Sequence, residues 1–429
     1  VDTKSLGVFA QEQVGWQDKL FVTAAARVDN SSVFGDHIDR LVYPKVSFSY
    51  IISEEPFMHN FGWMDNLKLR GAWGQAGNAP DPFAAVRSYT LTRSVDQNGA
   101  AVSALVPSSL GNPDVKPERG SEIELGFDAS LMSRLGLEFT YYNKVTKDAL
   151  MLVPNPPSTG FPGGSYQNVG EISNKGVEVA LNATPFRANG FAWDSRLGFS
   201  ANKNRLVKFG FDQSTIIFGV TTANQRHAEG YPLGGFWVHD PVLDAATGSY
   251  VAGEARFLGS ADPTREVSFA NTITFLRDFR LYGLLDYKGG FYVLNQTDWN
   301  RCTAGVCPEV NDPNVSAERK AMLTADLQAN DAIYTQPGDF IKFRDLSLSY
   351  DLPQTMFSKI GFERAALQLA GHNLGVLWKK GYKGPDPEVN FSGSNGPGGL
   401  ARTQWNLVRA DLWTMPMVRR YTLSLDMAF

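Results

Sequence analysis

Only two cysteines and five histidines occur among the 429 residues. With so few soft ligands, no His-Glu-x-x-His pattern and no cysteine cluster is available for a metal centre. Cys302 and Cys307 fall in Cys-Thr-Ala-Gly-Val-Cys, beside Pro308, Asn311, Asp312 and Pro313. That irregular setting favours a local disulfide in an oxidising compartment over two free thiols. Charge is sparse and balanced, with 40 Lys+Arg against 44 Asp+Glu for a net −4. The basic excess of a nucleic-acid binder is missing. No stretch reaches the roughly 18–20 apolar residues that a membrane helix needs. There is no initiator methionine and no basic run leading into an apolar one at Val1, so no signal peptide is read. A membrane could then be crossed only by a barrel, since only helices and closed barrels satisfy the backbone in lipid.

Aromatic and turn-forming residues are abundant instead: 28 Phe, 15 Tyr and 9 Trp, with 41 Gly and 23 Pro. They favour many strands and turns over long helices. The last nine residues alternate apolar and polar and end on an aromatic. Tyr421, Leu423, Leu425, Met427 and Phe429 would share one face, and Thr422, Ser424, Asp426 and Ala428 the other. A strand placed there is expected to close an outer-membrane β-barrel.

The same period of two recurs along the chain, as in Glu122–Leu131, Leu135–Tyr141, Val177–Ala183 and Val267–Phe275. A soluble sandwich would also alternate, so connection length decides. Short links near 16–18, 53–63, 132–134, 186–191, 277–280 and 353–360 alternate with long ones. After a modest first loop near 30–39, the long ones fall at about 77–118, 148–174, 205–264, 292–337 and 375–415. Long structureless loops are rare in soluble domains, whereas short periplasmic turns and long external loops are the outer-membrane arrangement. About 13 strands follow, most longer than the roughly 9–11 residues a tilted crossing needs. An odd count conflicts with the even number in bacterial single-chain barrels. The expectation is a carboxyl-terminal part of a larger barrel.

Word-like segments stand at the strand and loop borders: Ile52-Ser-Glu-Glu-Pro-Phe57, Leu67-Lys-Leu-Arg-Gly-Ala-Trp-Gly-Gln-Ala-Gly-Asn78 and Asn112-Pro-Asp-Val-Lys-Pro-Glu118. Phe139–Leu150, Asn168–Glu178, Gly338–Tyr350, Gly371-His-Asn-Leu374 and Gly384-Pro-Asp-Pro-Glu388 come after them. In these segments and their order the chain resembles the SusC/RagA-like branch of TonB-dependent outer-membrane receptors. The resemblance covers nearly the whole chain. It implies an all-β fold, a transmembrane antiparallel up-and-down barrel of 22 strands, of which about 13 are here and the plug domain is absent. It also implies location in the bacterial outer membrane and energised uptake of a small oligomeric nutrient, a glycan or a peptide. The implied partners are outer-membrane lipid, a SusD-like surface lipoprotein and, through the missing amino-terminal part, TonB. No cofactor, metal or nucleic acid is implied, and nothing is chemically transformed. A passive porin or adhesin is the alternative, with a soluble carbohydrate-binding β protein third.

Candidate ligand contacts are the loop aromatics Phe236, Trp237, Trp299, Tyr382, Trp405 and Trp413, whose flat faces suit sugars or apolar peptide side chains. Packing of the loops onto one another is the bland reading. Trp16 and Trp193, beside short turns, read as interfacial girdle. His239-Asp240 reads as an ordinary loop pair rather than a metal contact. Glu122, Glu124, Asp128, Glu138 and Glu178 share the inward parity and read as the polar lining of the lumen.

Overall fold

The computed structural model describes residues 4–32, 40–210, 215–219, 224–356, 363–388 and 408–428. Its wall is one sheet of thirteen strands, each hydrogen-bonded to the next wall strand along the chain. They are β1 (Ser5–Trp16), β2 (Leu20–Ser31), β3 (Leu41–Ile51), β4 (Met64–Asn78), β5 (Glu118–Leu131), β6 (Leu135–Lys147) and β7 (Glu171–Ala188). There follow β8 (Phe191–Lys208), β9 (Arg265–Phe275), β10 (Phe279–Gly289), β11 (Phe340–Asp351), β12 (Arg364–Lys379) and β13 (Arg420–Ala428). All pairings in the wall are antiparallel, an up-and-down order. Among the described residues, β1 and β13 each pair on one side only.

Three tight turns at one end put two consecutive residues at positive φ: Gln17 and Asp18, Met132 and Ser133, Leu276 and Arg277. That geometry matches the twist of the flanking strands. None carries the Asn-Gly or Asp-Gly pair that usually announces such a turn, so the strands impose it.

The register sorts the side chains by face. On the outer face Val22 meets Phe48, Val46 meets Trp73, and Leu125 meets Tyr141. Val179 meets Phe199, Leu197 meets Phe269, Leu281 meets Leu348, and Leu369 meets Leu423. These apolar residues are open to the surroundings: Leu125 is 50% exposed and Leu423 72%. On the inner face Glu122 stands opposite Lys144, Glu178 opposite Thr140, and Ser268 opposite Asp286. Asp128 is held there by Lys68 at 2.7 Å and Arg70 at 3.1 Å. A soluble sandwich hides its apolar face; this sheet turns it outward, as a wall facing lipid does. Tyr421, Leu423, Leu425 and Met427 lie on the outer face, all exposed; Phe429 lies outside the described residues. Trp16 and Trp193 sit beside their turns with exposed rings.

The long connections are not structureless, which corrects the expectation from sequence. One folds as a hairpin, Ser88–Val95 with Ala101–Ser109, and another as Leu150–Pro154 with Gly164–Asn168. The two longest build an external assembly with its own core, including helices α1 (Gln296–Thr303), α2 (Pro308–Asn311), α3 (Ala317–Thr324) and α4 (Leu327–Tyr334). Helices α1, α3 and α4 start on side-chain caps: Asn295 accepts from the Asp298 N–H, Ser316 from Arg319 and Asp326 from Gln328.

Candidate ligand-binding site

Four external strands, Thr215–Phe218, Gln225–Ala228, Gly235–Leu243 and Tyr250–Gly259, pair antiparallel in that order. Phe218, Phe236 and Val238 enter a buried core with Leu294, Leu323, Leu327 and Tyr334. Cys302 and Cys307 are joined as a disulfide inside that core.

Trp237 pairs across strands with Phe257, and Tyr231 completes a group of three rings. Their centroids lie 4.7 Å (Tyr231–Trp237), 4.8 Å (Tyr231–Phe257) and 5.7 Å (Trp237–Phe257) apart, all mutually tilted. The Arg226 guanidinium lies 5.4 Å from the Trp237 ring centre, within cation–π range. Arg226 Nε and Trp237 Nε1 are enclosed and have no hydrogen-bond partner. Three tilted rings beside an unpaired guanidinium suit a ligand with apolar ring faces and acceptor oxygens.

The candidate aromatics therefore separate. Trp237 belongs to this group, and Trp413 is 64% exposed. Phe236 is 0% exposed and Tyr382 2%, so neither has a face for a ligand to meet. They hold the assembly together, Tyr382 by donating its hydroxyl to Asp411 at 2.7 Å. Burial, and then this bond, push the Tyr382 phenol up from its ordinary range. Trp299 packs against the core and donates Nε1 to the Ala325 carbonyl at 3.0 Å. Trp405 lies outside the described residues. Tyr231 and Phe257 were missed from sequence because each is an ordinary strand or turn aromatic until the hairpins bring them together.

His239 and Asp240 do not act as a pair. The His239 backbone N–H donates to buried Asp331 at 2.6 Å, with Nδ1 at 3.2 Å from the same carboxylate. Asp240 is engaged by Arg256 at 2.6 and 2.9 Å. Among the described residues no group of three potential metal ligands occurs.

The segment Gly384-Pro-Asp-Pro-Glu388 anchors the last external loop to the wall. Lys342, 1% exposed by side chain, donates to Asp386 at 2.7 Å and Glu388 at 2.6 Å. Arg344 bridges Glu388 and Asp286, at 2.7 Å and 2.9 Å through separate nitrogens. Burial pushes the Glu388 carboxyl up, but hydrogen bonds from Arg344 and Lys342 outweigh it and hold it at about 2. The two prolines space the carboxylates so that both reach cations on one strand.

These features, an apolar-outward sheet capped by folded loops, agree with what sequence comparison finds. Residues 1–374 match the family described as TonB dependent receptor-like, β-barrel. The chain belongs to that family. TonB-dependent receptor P26 of Formosa agariphila is 28% identical over 98% of this chain and 46% of its own length. TonB-dependent receptor SusC of Bacteroides thetaiotaomicron is 28% identical over 53% of this chain and 24% of its own. The structure of the RagAB peptide transporter superposes with a TM-score of 0.80 at 22% identity, over 100% of this chain and 48% of that one. At that identity the likeness shows the fold. This TonB-dependent receptor barrel is an outer-membrane protein, and it spans about half the length of the curated relatives that it matches over most of its own length.

Proposed function

We propose that this chain forms the carboxyl-terminal part of the barrel, and much of the external ligand-handling surface, of an active nutrient importer. A sheet with two unpaired edges cannot stand in lipid, so further strands complete the wall. A plug within the polar lumen, driven by TonB, would gate passage, and a surface lipoprotein of the SusD type would cover the external assembly. The peptide named for RagAB supports a peptide as cargo, and the resemblance of the sequence motifs adds a glycan as the other class. The observation that carries the reading is the outward apolar wall beneath an externally folded assembly that presents Tyr231, Trp237 and Phe257. Phe236, Trp299 and Tyr382 act in it as framework, while Trp237 and Trp413 contact ligand.

The test uses the complete receptor in cells. Replacing Tyr231, Trp237 and Phe257 together by alanine is expected to lower ligand binding about 5- to 150-fold, at roughly 1–3 kcal/mol of stacking and burial. Growth on the cognate oligomer should then fail while barrel abundance holds. Uptake that persists without TonB would leave a passive porin instead.

A further inference from the structure

Six basic residues stand on the outer face of five adjacent strands: Arg119, Lys147, Lys175, Lys203, Arg205 and Arg265. Each continues the outward row of its strand, above Leu125, Tyr141, Val177, Phe199 and Val267. Arg119 is directly opposite Lys147, Lys175 opposite Lys203, and Arg265 opposite Ala201, next-but-one to Lys203. All six are exposed. Among the described residues none makes an ion pair or a side-chain hydrogen bond. One carboxylate, Glu171 opposite Lys147, shares the arc.

Their heights fall in one band, 10 to 14 residues from the turn ends. Arg119 lies 12 residues along its strand from the turn end at Leu131, Lys147 12 from Leu135, and Lys175 13 from Ala188. Lys203 lies 12 from Phe191, Arg205 14 from Phe191, and Arg265 10 from Phe275. At about 3.4 Å per residue and a tilt near 40°, about 12 residues rise roughly 30 Å. That is just beyond an apolar band of roughly 25 Å, at the level of the outer headgroups. At the same height on flanking strands stand Gln75, Gly289 and Ile341. These uncharged positions bound the arc on both sides; farther round the wall Lys4 and Arg40 stand singly at a similar height.

We propose that this arc binds the phosphate groups of an outer-leaflet glycolipid, with the lipid's acyl chains lying on the apolar rows below. Unpaired cations at headgroup height attract anionic lipid, and each phosphate can accept from two or more of them. A soluble acidic partner is disfavoured because it would have to displace lipid from the apolar rows beneath the arc.

The experiment is native mass spectrometry of the complete receptor extracted in mild detergent, counting retained phosphorylated lipopolysaccharide. Lys175→Gln, Lys203→Gln and Arg205→Gln combined should reduce retention by more than tenfold, at several-fold per cation removed. Lys175→Arg with Lys203→Arg should retain it. Lumenal Lys144→Gln should too, and the unboiled gel shift of the folded barrel should be unchanged in each. Lipopolysaccharide stripped of its phosphates should not be retained by the unaltered receptor. Equal retention by the triple variant, or retention of the dephosphorylated lipid, would overturn the proposal. So would capture of an acidic protein at the arc in place of lipid.

Discussion

Leu125 and Phe236 are both large apolar residues on antiparallel strands, yet Leu125 is 50% exposed and Phe236 0%. The first belongs to the wall and the second to the external assembly. In the wall, the strand ladder satisfies the backbone and the side chains face out to lipid, so the sheet needs no apolar core of its own. In the external assembly water surrounds the strands, and the hydrophobic effect draws Phe218, Phe236, Val238 and Tyr334 together over the helices. Polar residues reverse accordingly. In the wall they meet between neighbouring strands on the wet inner face, as Lys68 and Arg70 do with Asp128. In the assembly they are enclosed and individually matched, as with Tyr382 and Asp411. One chain thus folds by two solvent rules, and the junction is fastened by Lys342 and Arg344 gripping Asp386 and Glu388.

If this division is right, substitutions should damage one region and spare the other. Phe236→Ala removes a fully enclosed ring and should cost the assembly about 3–5 kcal/mol. Limited proteolysis should then open the external loops while the barrel keeps its heat-modifiable gel mobility. Leu125→Arg is the converse. At an exposed position in water it would cost almost nothing, but facing lipid near mid-band it should cost roughly 2–4 kcal/mol in urea titrations of the receptor refolded into vesicles. A neutral outcome would place Leu125 against water or protein and break the assignment of the outer face. Reduction of Cys302–Cys307 comes next. It opens a short loop inside the assembly core, and should cost roughly 2 kcal/mol by loop closure. Hydrogen exchange should quicken in α1 and α3 and remain unchanged in the wall.

The wall was far more legible in the sequence than the assembly, for the same physical reason. A strand between lipid and lumen must alternate at every step, so Glu122–Leu131 and Tyr421–Phe429 announce themselves residue by residue. The thirteen strands read from that alternation correspond to the thirteen of the sheet. The external strands alternate too briefly to stand out, and Thr215–Phe218 and Gln225–Ala228 are four residues each. Their pairing is set by contacts far along the chain, such as the Arg409 N–H donating to Gln225 Oε1 at 2.9 Å. Aromatic identity alone could not tell a framework ring like Tyr382 from an accessible one like Trp237. Burial makes that distinction, and burial depends on the whole assembly.

The smallest expected effect is a pH response confined to the assembly. His227 is 4% exposed, its Nδ1 accepts from the Gly234 N–H at 3.0 Å, and its ring lies 4.7 Å from Phe218. Burial lowers its pKa to about 4. The folded form therefore keeps His227 neutral, while an opened assembly takes up a proton below about 6.5. More protons bound when open means stability falls with acid, from about pH 6.5 down to about 4. By about pH 5.5 the loss should be roughly 1 kcal/mol, read as faster hydrogen exchange around Gln225–Ala228. The wall strands on the lipid side should show no matching change. His227→Gln should flatten the response, and if it does not, other groups govern the acid sensitivity of the assembly.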